Sequence, residues 1–237
     1  MGTLYGVFGV GGSSFATPAL GLLGVPGLVA IVAPLPAAAP AAILGAAAYA
    51  RRGQVEWSLA RWCIYGGVPG TVVGALLSNA VGAQSLLMAS GAALILVGGR
   101  MLLPLDEADR VRGRARRRRG FVVGVAVAIG VFTGLLANGG GFLLVPLFVV
   151  VLGLNMPESA GTSLVVIAVL SVPTLVTHLA LGHVEWSVAG AFALGAVPGT
   201  AVGTRLTRRA DSETLRKVFA VVLIAFGIYF IAHQAAR

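Results

Sequence analysis

Two glycine-rich clusters place polar groups inside otherwise apolar stretches of the chain. The first is Gly11-Gly12-Ser13-Ser14, followed by Pro18, and the second is Asn138-Gly139-Gly140-Gly141, followed by Pro146. A helix that starts at such a cluster presents unpaired backbone N–H groups and the positive end of its dipole. Glycine lets a ligand approach the backbone closely, and asparagine is a suitable helix cap. The two clusters therefore predict one shared anion-binding site, although glycines here would also allow close helix packing.

The second cluster is expected to interrupt its helix, because the apolar segment 120–153 is too long for one straight crossing. At ~1.5 Å per residue it would extend about 50 Å, against a hydrocarbon core of about 30 Å. We predict a break at 138–141 and a shorter helix from Phe142 to Leu152. Broken segments at matching positions of two repeats are the best sequence indication of a transporter's binding site.

Three further residues could do chemistry within apolar segments. Thr71 and Thr200 each follow a Pro-Gly pair, where proline leaves a backbone carbonyl unpaired. They are candidates to line a polar path or to repair the kink. His178 is a candidate to relay a proton, or it lies at the membrane interface near the end of its helix.

The composition excludes an ordinary soluble protein. Mean hydropathy is +0.94 and 11% of residues are charged, against roughly 25% in soluble domains. The single cysteine, Cys63, excludes an internal disulfide. We predict an all-α fold, a polytopic membrane helical bundle. Its apolar segments are 2–24, 26–50, 59–80, 85–103, 120–153, 159–181, 187–206 and 214–234.

The two halves of the sequence match. Gly53–Ser58 and Gly182–Ser187 share the pattern Gly-x-Val-Glu-Trp-Ser, and Val68–Thr71 recurs as Val197–Thr200. Both matches have an offset of 129 residues. We predict two tandem repeats, residues 1–103 and 120–237, joined by a basic linker at 104–119, with the first segment of each repeat broken at its glycine cluster. Only ten residues precede the first cluster, so its helix is short or the chain begins inside a longer reading frame.

The distribution of charge predicts how the repeats are oriented. The linker 104–119 carries seven arginines and is expected in the cytoplasm, as is the loop with Arg51 and Arg52. The counterpart of that loop, 182–186, has no Lys or Arg, whereas 205–217 carries five. Equivalent loops then face opposite sides, which indicates an inverted repeat. The alternative is a parallel repeat of four simple helices. We expect a multi-pass protein of the bacterial inner membrane.

At this point the sequence resembles the sulfite exporter TauE/SafE family over nearly its whole length. The resemblance rests on three motifs: Gly134-x-x-x-Asn138-Gly139-Gly140-Gly141-x-x-x-x-Pro146, Ala160-Gly161-Thr162-Ser163-Leu164 and Pro198-Gly199. It implies transport of sulfite, sulfonates or related small anions, and no enzyme activity. It places Asn138–Gly141 and Thr162-Ser163 at the substrate path. Thr162 and Ser163 have an alternative role in capping or in bonding to the backbone of their own helix.

We therefore expect a secondary transporter of a small anion, bound near mid-membrane between Gly11–Ser14 and Asn138–Phe142. A passive anion channel and an accessory membrane subunit are the alternatives. No motif for a metal, a cofactor, a nucleotide or a catalytic pair is present, so no enzyme and no cofactor are expected. The expected partners are the anion and the lipid bilayer, with protons as the default coupling ion and a homodimer as a further candidate. The net charge of +9 is read as a topology signal rather than as nucleic-acid binding.

Overall fold

The computed structural model is all-helical in the part of the chain that it describes, residues 2–10, 33–77, 83–103, 118–135, 141–180, 184–207 and 210–235. The helices are α1 (Gly2–Phe8), α2 (Leu35–Ala50), α3 (Trp57–Leu77), α4 (Ala83–Leu102), α5 (Arg119–Leu135), α6 (Gly141–Pro146), α7 (Met156–Ala180), α8 (Trp186–Leu206) and α9 (Ser212–Ala235). A π-helical turn, Leu147–Val151, continues α6.

The predicted segments correspond to these helices, with shifted ends. The segment 2–24 is interrupted after Phe8, and the helix predicted at 26–50 begins at Leu35. Within the long segment 120–153, α5 ends at Leu135 and α6 begins at Gly141. Residues 136–140, which contain most of the predicted break, lie outside the described residues.

Polar caps fix the starts of α7 and α9. Asn155 and Glu158 bond reciprocally: Glu158 N donates to Asn155 Oδ1 at 2.9 Å, and Asn155 N donates to a Glu158 carboxylate oxygen at 3.3 Å. This is a capping box. The Asp211 carboxylate likewise accepts from the backbone N–H groups of Glu213 and Thr214. Both helices therefore begin two or three residues before the apolar segments that predicted them.

The helices pack mainly in pairs drawn from opposite halves of the chain. α3 packs along α5, α1 along α8, α2 against α7, and α4 along α9; α2 also contacts α8, and α3 contacts α7. The first two pairs are parallel, since contacts advance together along both helices. The two halves of the sequence therefore do not form separate bodies.

Glycines bring the paired backbones together. A Cβ atom added at Gly130 of α5 would lie 2.5 Å from the carbonyl oxygen of Gly67 in α3, and one added at Gly2 of α1 would lie 2.5 Å from that of Ala196 in α8. Real Cβ atoms essentially never approach so closely. Only a residue without a side chain fits at these crossings, as in small-residue contacts between membrane helices.

All described lysines and arginines lie at one end of the bundle, here called the arginine end. Three contacts define it: Arg52 with the Thr204 carbonyl, Arg216 with the Leu103 carbonyl, and the Arg119 guanidinium over the Trp62 ring. The first contact joins the C-termini of α2 and α8, the second joins the N-terminus of α9 to the C-terminus of α4, and the third joins the N-termini of α5 and α3. The basic residues are Arg51, Arg52, Arg61, Arg100, Arg118, Arg119, Arg205, Arg216 and Lys217.

The outer surface of the bundle is apolar. Leu194 is 80% exposed, Leu96 73% and Val221 58%, on three different helices. Two of the described helices are long and apolar enough to cross a membrane, α7 over Met156–Pro173 and α8 over Trp186–Leu206. α8 has 28% of that window buried, so most of its surface is available to lipid. Such a surface is typical of a protein in a bilayer rather than in water.

Candidate functional site

The N-terminal half of α7 carries three buried hydroxyl groups, on Ser159, Thr162 and Ser163. Its position is fixed by Gly161, where an added Cβ would overlap the Gln54 carbonyl oxygen. Because this glycine has no side chain, α7 lies directly against the connection between α2 and α3. The hydroxyl groups of Thr162 and Ser163 therefore face backbone from other parts of the chain, whereas the Ser159 hydroxyl donates to the Asn155 carbonyl four residues earlier.

Thr162 and Ser163 bond to backbone outside their own helix. Thr162 Oγ1 accepts from the N–H of Glu56 at 3.0 Å, and Ser163 Oγ donates to the carbonyl of Gly9 at 2.9 Å. The structure thus gives both hydroxyl groups tertiary partners, rather than the bonds within α7 that were the alternative role. Their contact with substrate stays a prediction.

The bond to Gly9 brings α7 next to the first glycine cluster. α1 ends at Phe8, and Gly9 has a φ of +67°, a left-handed conformation that favours glycine. A Cβ at Gly9 would overlap the Ala160 carbonyl oxygen, so this turn is pressed against α7. Ser163 therefore lies beside residues that directly precede Gly11 in sequence.

The second cluster leads into the same region. Gly141, its last residue, begins α6, which contacts α7 and α4. The residues that follow share one hydrophobic cluster with the residues before Gly11: Val145 and Val149 lie in it together with Phe8 and Val10. The described residues that flank both glycine clusters therefore converge beside the N-terminal half of α7.

Other predicted site residues lie outside the described part of the chain. They are Gly11, Gly12, Ser13, Ser14, Asn138, Gly139 and Gly140. His178 lies on α7, two residues before its end, and only its backbone position is described. Its two alternative roles stay open.

Thr71 and Thr200 occupy equivalent and buried places. Each hydroxyl donates at 2.8 Å to the carbonyl four residues earlier in its own helix, Gly67 for Thr71 and Ala196 for Thr200. These carbonyls also lie at the tight crossings with α5 and α1. The backbone role that was the alternative is therefore present, and a role in lining a path stays a prediction.

Two buried tyrosines, neither of them predicted from the sequence, hold α1 in place. The Tyr49 hydroxyl lies 3.0 Å from the carbonyl oxygen of Gly6 and 3.1 Å from that of Val7. The Tyr5 hydroxyl donates to the carbonyl of Ala38 at 2.8 Å. Because α1 ends after two turns, the Tyr49 hydroxyl supplies a partner for carbonyl groups that α1 itself leaves unpaired, whereas the Tyr5 bond ties α1 to α2.

The polar groups that the described residues place at this site are the hydroxyl groups of α7 and backbone N–H and carbonyl groups. No group of three His, Cys, Asp or Glu side chains that could hold a metal ion occurs among them. Cys63, the single cysteine, is buried in the core.

Comparisons with known proteins give a consistent result. The family model described as sulfite exporter TauE/SafE matches residues 1–230. Two proteins of Xylella fastidiosa, each named "Probable membrane transporter protein", are 29% and 30% identical over 98% of this chain and 91% of their own length. A Bacillus subtilis protein named "Probable membrane transporter protein YunE" is 27% identical over 78% of this chain and 73% of its own. No solved structure matches the chain.

Proposed function

The chain belongs to the sulfite exporter TauE/SafE family of membrane transporters, and we propose that it is a secondary transporter of a small anion such as sulfite or a sulfonate. One observation carries the proposal beyond the family: the residues that flank both glycine clusters converge beside the hydroxyl-rich half of α7. The family resemblance predicted from the glycine and Thr-Ser motifs is confirmed by the family model over residues 1–230. The substrate, the site and the mechanism are proposals.

The proposed site lies between Gly11–Ser14 and Asn138–Phe142, near the middle of the membrane. Helix N-termini at both clusters would hold the anion through backbone N–H groups and the positive ends of their dipoles. Ser163 would position the first cluster by holding the Gly9 carbonyl, at 2.9 Å. Non-helical backbone at membrane depth is tolerated only where protein buries it or where it lines a cavity, which fits a binding site here.

The mechanism requires two repeats of opposite orientation, 1–103 and 120–237, linked by 104–119. The contacts between α4 and α9 support them. A Cβ at Gly98 would lie 2.8 Å from Ile224 Cγ1, and one at Gly227 would lie 2.7 Å from Ile95 Cγ1. Gly227 and Ile224 follow Gly98 and Ile95 by 129 residues, the offset of the sequence repeat. When each residue is replaced by its counterpart in the other half, the Gly98–Ile224 contact becomes the Gly227–Ile95 contact. A two-fold axis between the halves requires this exchange.

The direction of the helices also supports inversion. α5 starts at the arginine end and advances in parallel with α3, whereas its counterpart α1 advances in parallel with α8 towards that end. An inverted pair of repeats permits alternating access, in which the two units rock around a fixed central site. We place the arginine end in the cytoplasm of a multi-pass inner-membrane protein, following the positive-inside rule.

Proton coupling is the part of the proposal that involves His178. The residue lies near the end of α7 remote from the arginine end, and a histidine titrates near neutral pH. A proton gradient would then drive the anion against its own gradient. A passive anion channel would only dissipate the anion's own gradient, and an accessory subunit would carry no anion flux.

The test is uptake of labelled sulfite or sulfoacetate by proteoliposomes that contain the purified chain. We expect saturable uptake that concentrates the anion when a pH gradient is imposed. Gly140→Leu should abolish it, because a large side chain would fill the space in which the anion meets the backbone. Gly124→Leu is the matched control, since Gly124 is exposed on α5 with nothing within 4 Å of an added Cβ.

Three outcomes would contradict the proposal. Absence of flux for sulfite, sulfonates and short carboxylates alike would favour the accessory subunit. Equal flux in Gly140→Leu and Gly124→Leu would remove the glycine cluster from the path. Flux that only equilibrates the anion under every imposed gradient would identify a channel.

A further inference from the structure

A cavity of about 510 Å³ opens between the C-terminal ends of α2 and α8, at the arginine end. It is here called the α2–α8 groove. Its apolar wall consists of Leu44 and small residues, and its polar lining is dominated by three arginines, Arg51, Arg52 and Arg205. None of its lining residues belongs to α7, and the cavity was not predicted from the sequence.

The three guanidinium groups have no acidic partner among the described residues. Arg52 is half-buried and donates to the Thr204 carbonyl at 2.7 Å, so its charge is fixed at the wall of the groove. Arg51 and Arg205 are exposed. No described carboxylate lies within ion-pair distance of any of the three. The groove therefore presents uncompensated positive charge to a ligand.

Its surroundings are apolar. Ile43 is 59% exposed, Val202 54% and Leu206 60%, and each adjoins a lining residue in sequence. Ala47, Ala48 and Ala201 leave room along the helix seam, because their side chains end at Cβ. A ligand that fits must offer an anionic group to the arginines and a hydrocarbon chain to this surface. A small soluble anion satisfies only the first requirement.

We propose that the α2–α8 groove binds an anionic phospholipid, with the phosphate at Arg51 and Arg205 and an acyl chain along the alanines. Arginine pairs with phosphate through two parallel hydrogen bonds. Basic pockets between membrane helices at the cytoplasmic face are suited to acidic lipid headgroups. The inference uses the placement of the chain in a membrane and is independent of the transported substrate.

The test is thermal unfolding of the purified full chain in neutral detergent, titrated with phosphatidylglycerol or with phosphatidylcholine of the same acyl chains. We expect only phosphatidylglycerol to raise the Tm, since a ligand that binds the folded state stabilises it. The double variant Arg51→Gln/Arg205→Gln should lose the shift. Ala47→Leu should lose it too, with every charge retained, because the larger side chain fills the groove.

Matched controls separate the groove from general effects. Arg61→Gln removes an exposed arginine at the same end, on α3, and Ala191→Leu enlarges an exposed alanine on α8; neither residue lines the groove. Both variants should keep the full shift. If the double variant does not purify as a folded protein, Ala47→Leu alone decides.

Three results would overturn the inference. One is an equal shift with phosphatidylcholine, and another is a full shift in Ala47→Leu. The third is an equal shift with glycerol phosphate, which carries the charge without the chains and would identify a site for free anions. A failure of anion transport in proteoliposomes would leave the lipid result unaffected.

Discussion

At the residue scale, the hydroxyl groups of α7 act first on the protein's own backbone. Ser163 binds the carbonyl of Gly9, and Thr162 binds the N–H of Glu56, so one turn of helix holds the end of α1 and the start of α3. Tyr49 supplies a third bond to this region through the carbonyls of Gly6 and Val7. A short helix with glycines after it needs such partners, because it pairs few of its own carbonyls.

Ser163→Ala tests this role. Loss of the hydroxyl leaves the buried Gly9 carbonyl without its donor, which costs on the order of 1–3 kcal/mol. We expect a lower Tm in detergent and weaker transport, because the turn before Gly11 is no longer held. Ser171→Ala is the control: Ser171 is equally buried on α7, but its hydroxyl bonds within the helix, to Ala168. Equal loss in the two variants would contradict the tertiary role of Ser163.

At the element scale, the fold depends on glycine faces that let parallel helices touch. A Cβ at Gly74 of α3 would overlap the carbonyl oxygen of Val131 in α5, and one at Gly203 of α8 would overlap that of Thr3 in α1. Gly203 follows Gly74 by 129 residues, and Val131 follows Thr3 by 128. The two crossings therefore have the same contact geometry.

Gly74→Ala and Gly203→Ala should each force their helix pair apart. Overpacking of this kind typically costs about 1–3 kcal/mol, and we expect similar reductions in Tm for both because the crossings match. Gly195→Ala on α8 is the control, since an added Cβ there meets nothing within 4 Å. Thermal unfolding of the three variants is the measurement. A decrease for Gly195→Ala as large as for Gly203→Ala would show that the crossing is not the cause.

At the scale of the whole molecule, the inverted and the parallel repeat differ in the side of the membrane on which equivalent residues of the two halves lie. Ser58 and Ser187 occupy equivalent places in the proposed repeat, in the first turns of α3 and α8, and both are exposed. Ser58 lies at the arginine end, whereas Ser187 begins the helix whose C-terminus reaches that end. The proposed inversion therefore places the two serines on opposite sides of the membrane.

Labelling with a membrane-impermeant maleimide tests this placement. In intact spheroplasts Ser187→Cys should react and Ser58→Cys should not, and lysis should expose Ser58→Cys. The unmodified chain supplies the background, because Cys63 is 1% exposed. Reaction of both variants from the same side would favour the parallel repeat. Reaction of Ser58→Cys alone would keep the inversion and reverse the assignment of the cytoplasmic end.

The sequence determined the helical segments, the short helix that begins near Phe142 and the family. These features follow from local composition: apolar runs of bilayer length, a run too long for one crossing, and glycines where a helix can stop. Even the early starts of α7 and α9 are local, because Asn155 with Glu158 and Asp211 are readable caps. The first turns of α7 and α9 are polar, so the apolar segments that predicted these helices do not include them.

Only the tertiary structure decided which groups meet. The sequence pointed to Thr162 and Ser163, but their partners, Glu56 and Gly9, are 106 and 154 residues away. The groove formed by Arg51 and Arg205 likewise exists only where α2 lies beside α8. In a chain whose helices are apolar on nearly every side, hydrophobicity does not select one face for packing. Close backbone contacts at glycines make that selection, and they are a property of helix pairs rather than of either helix alone.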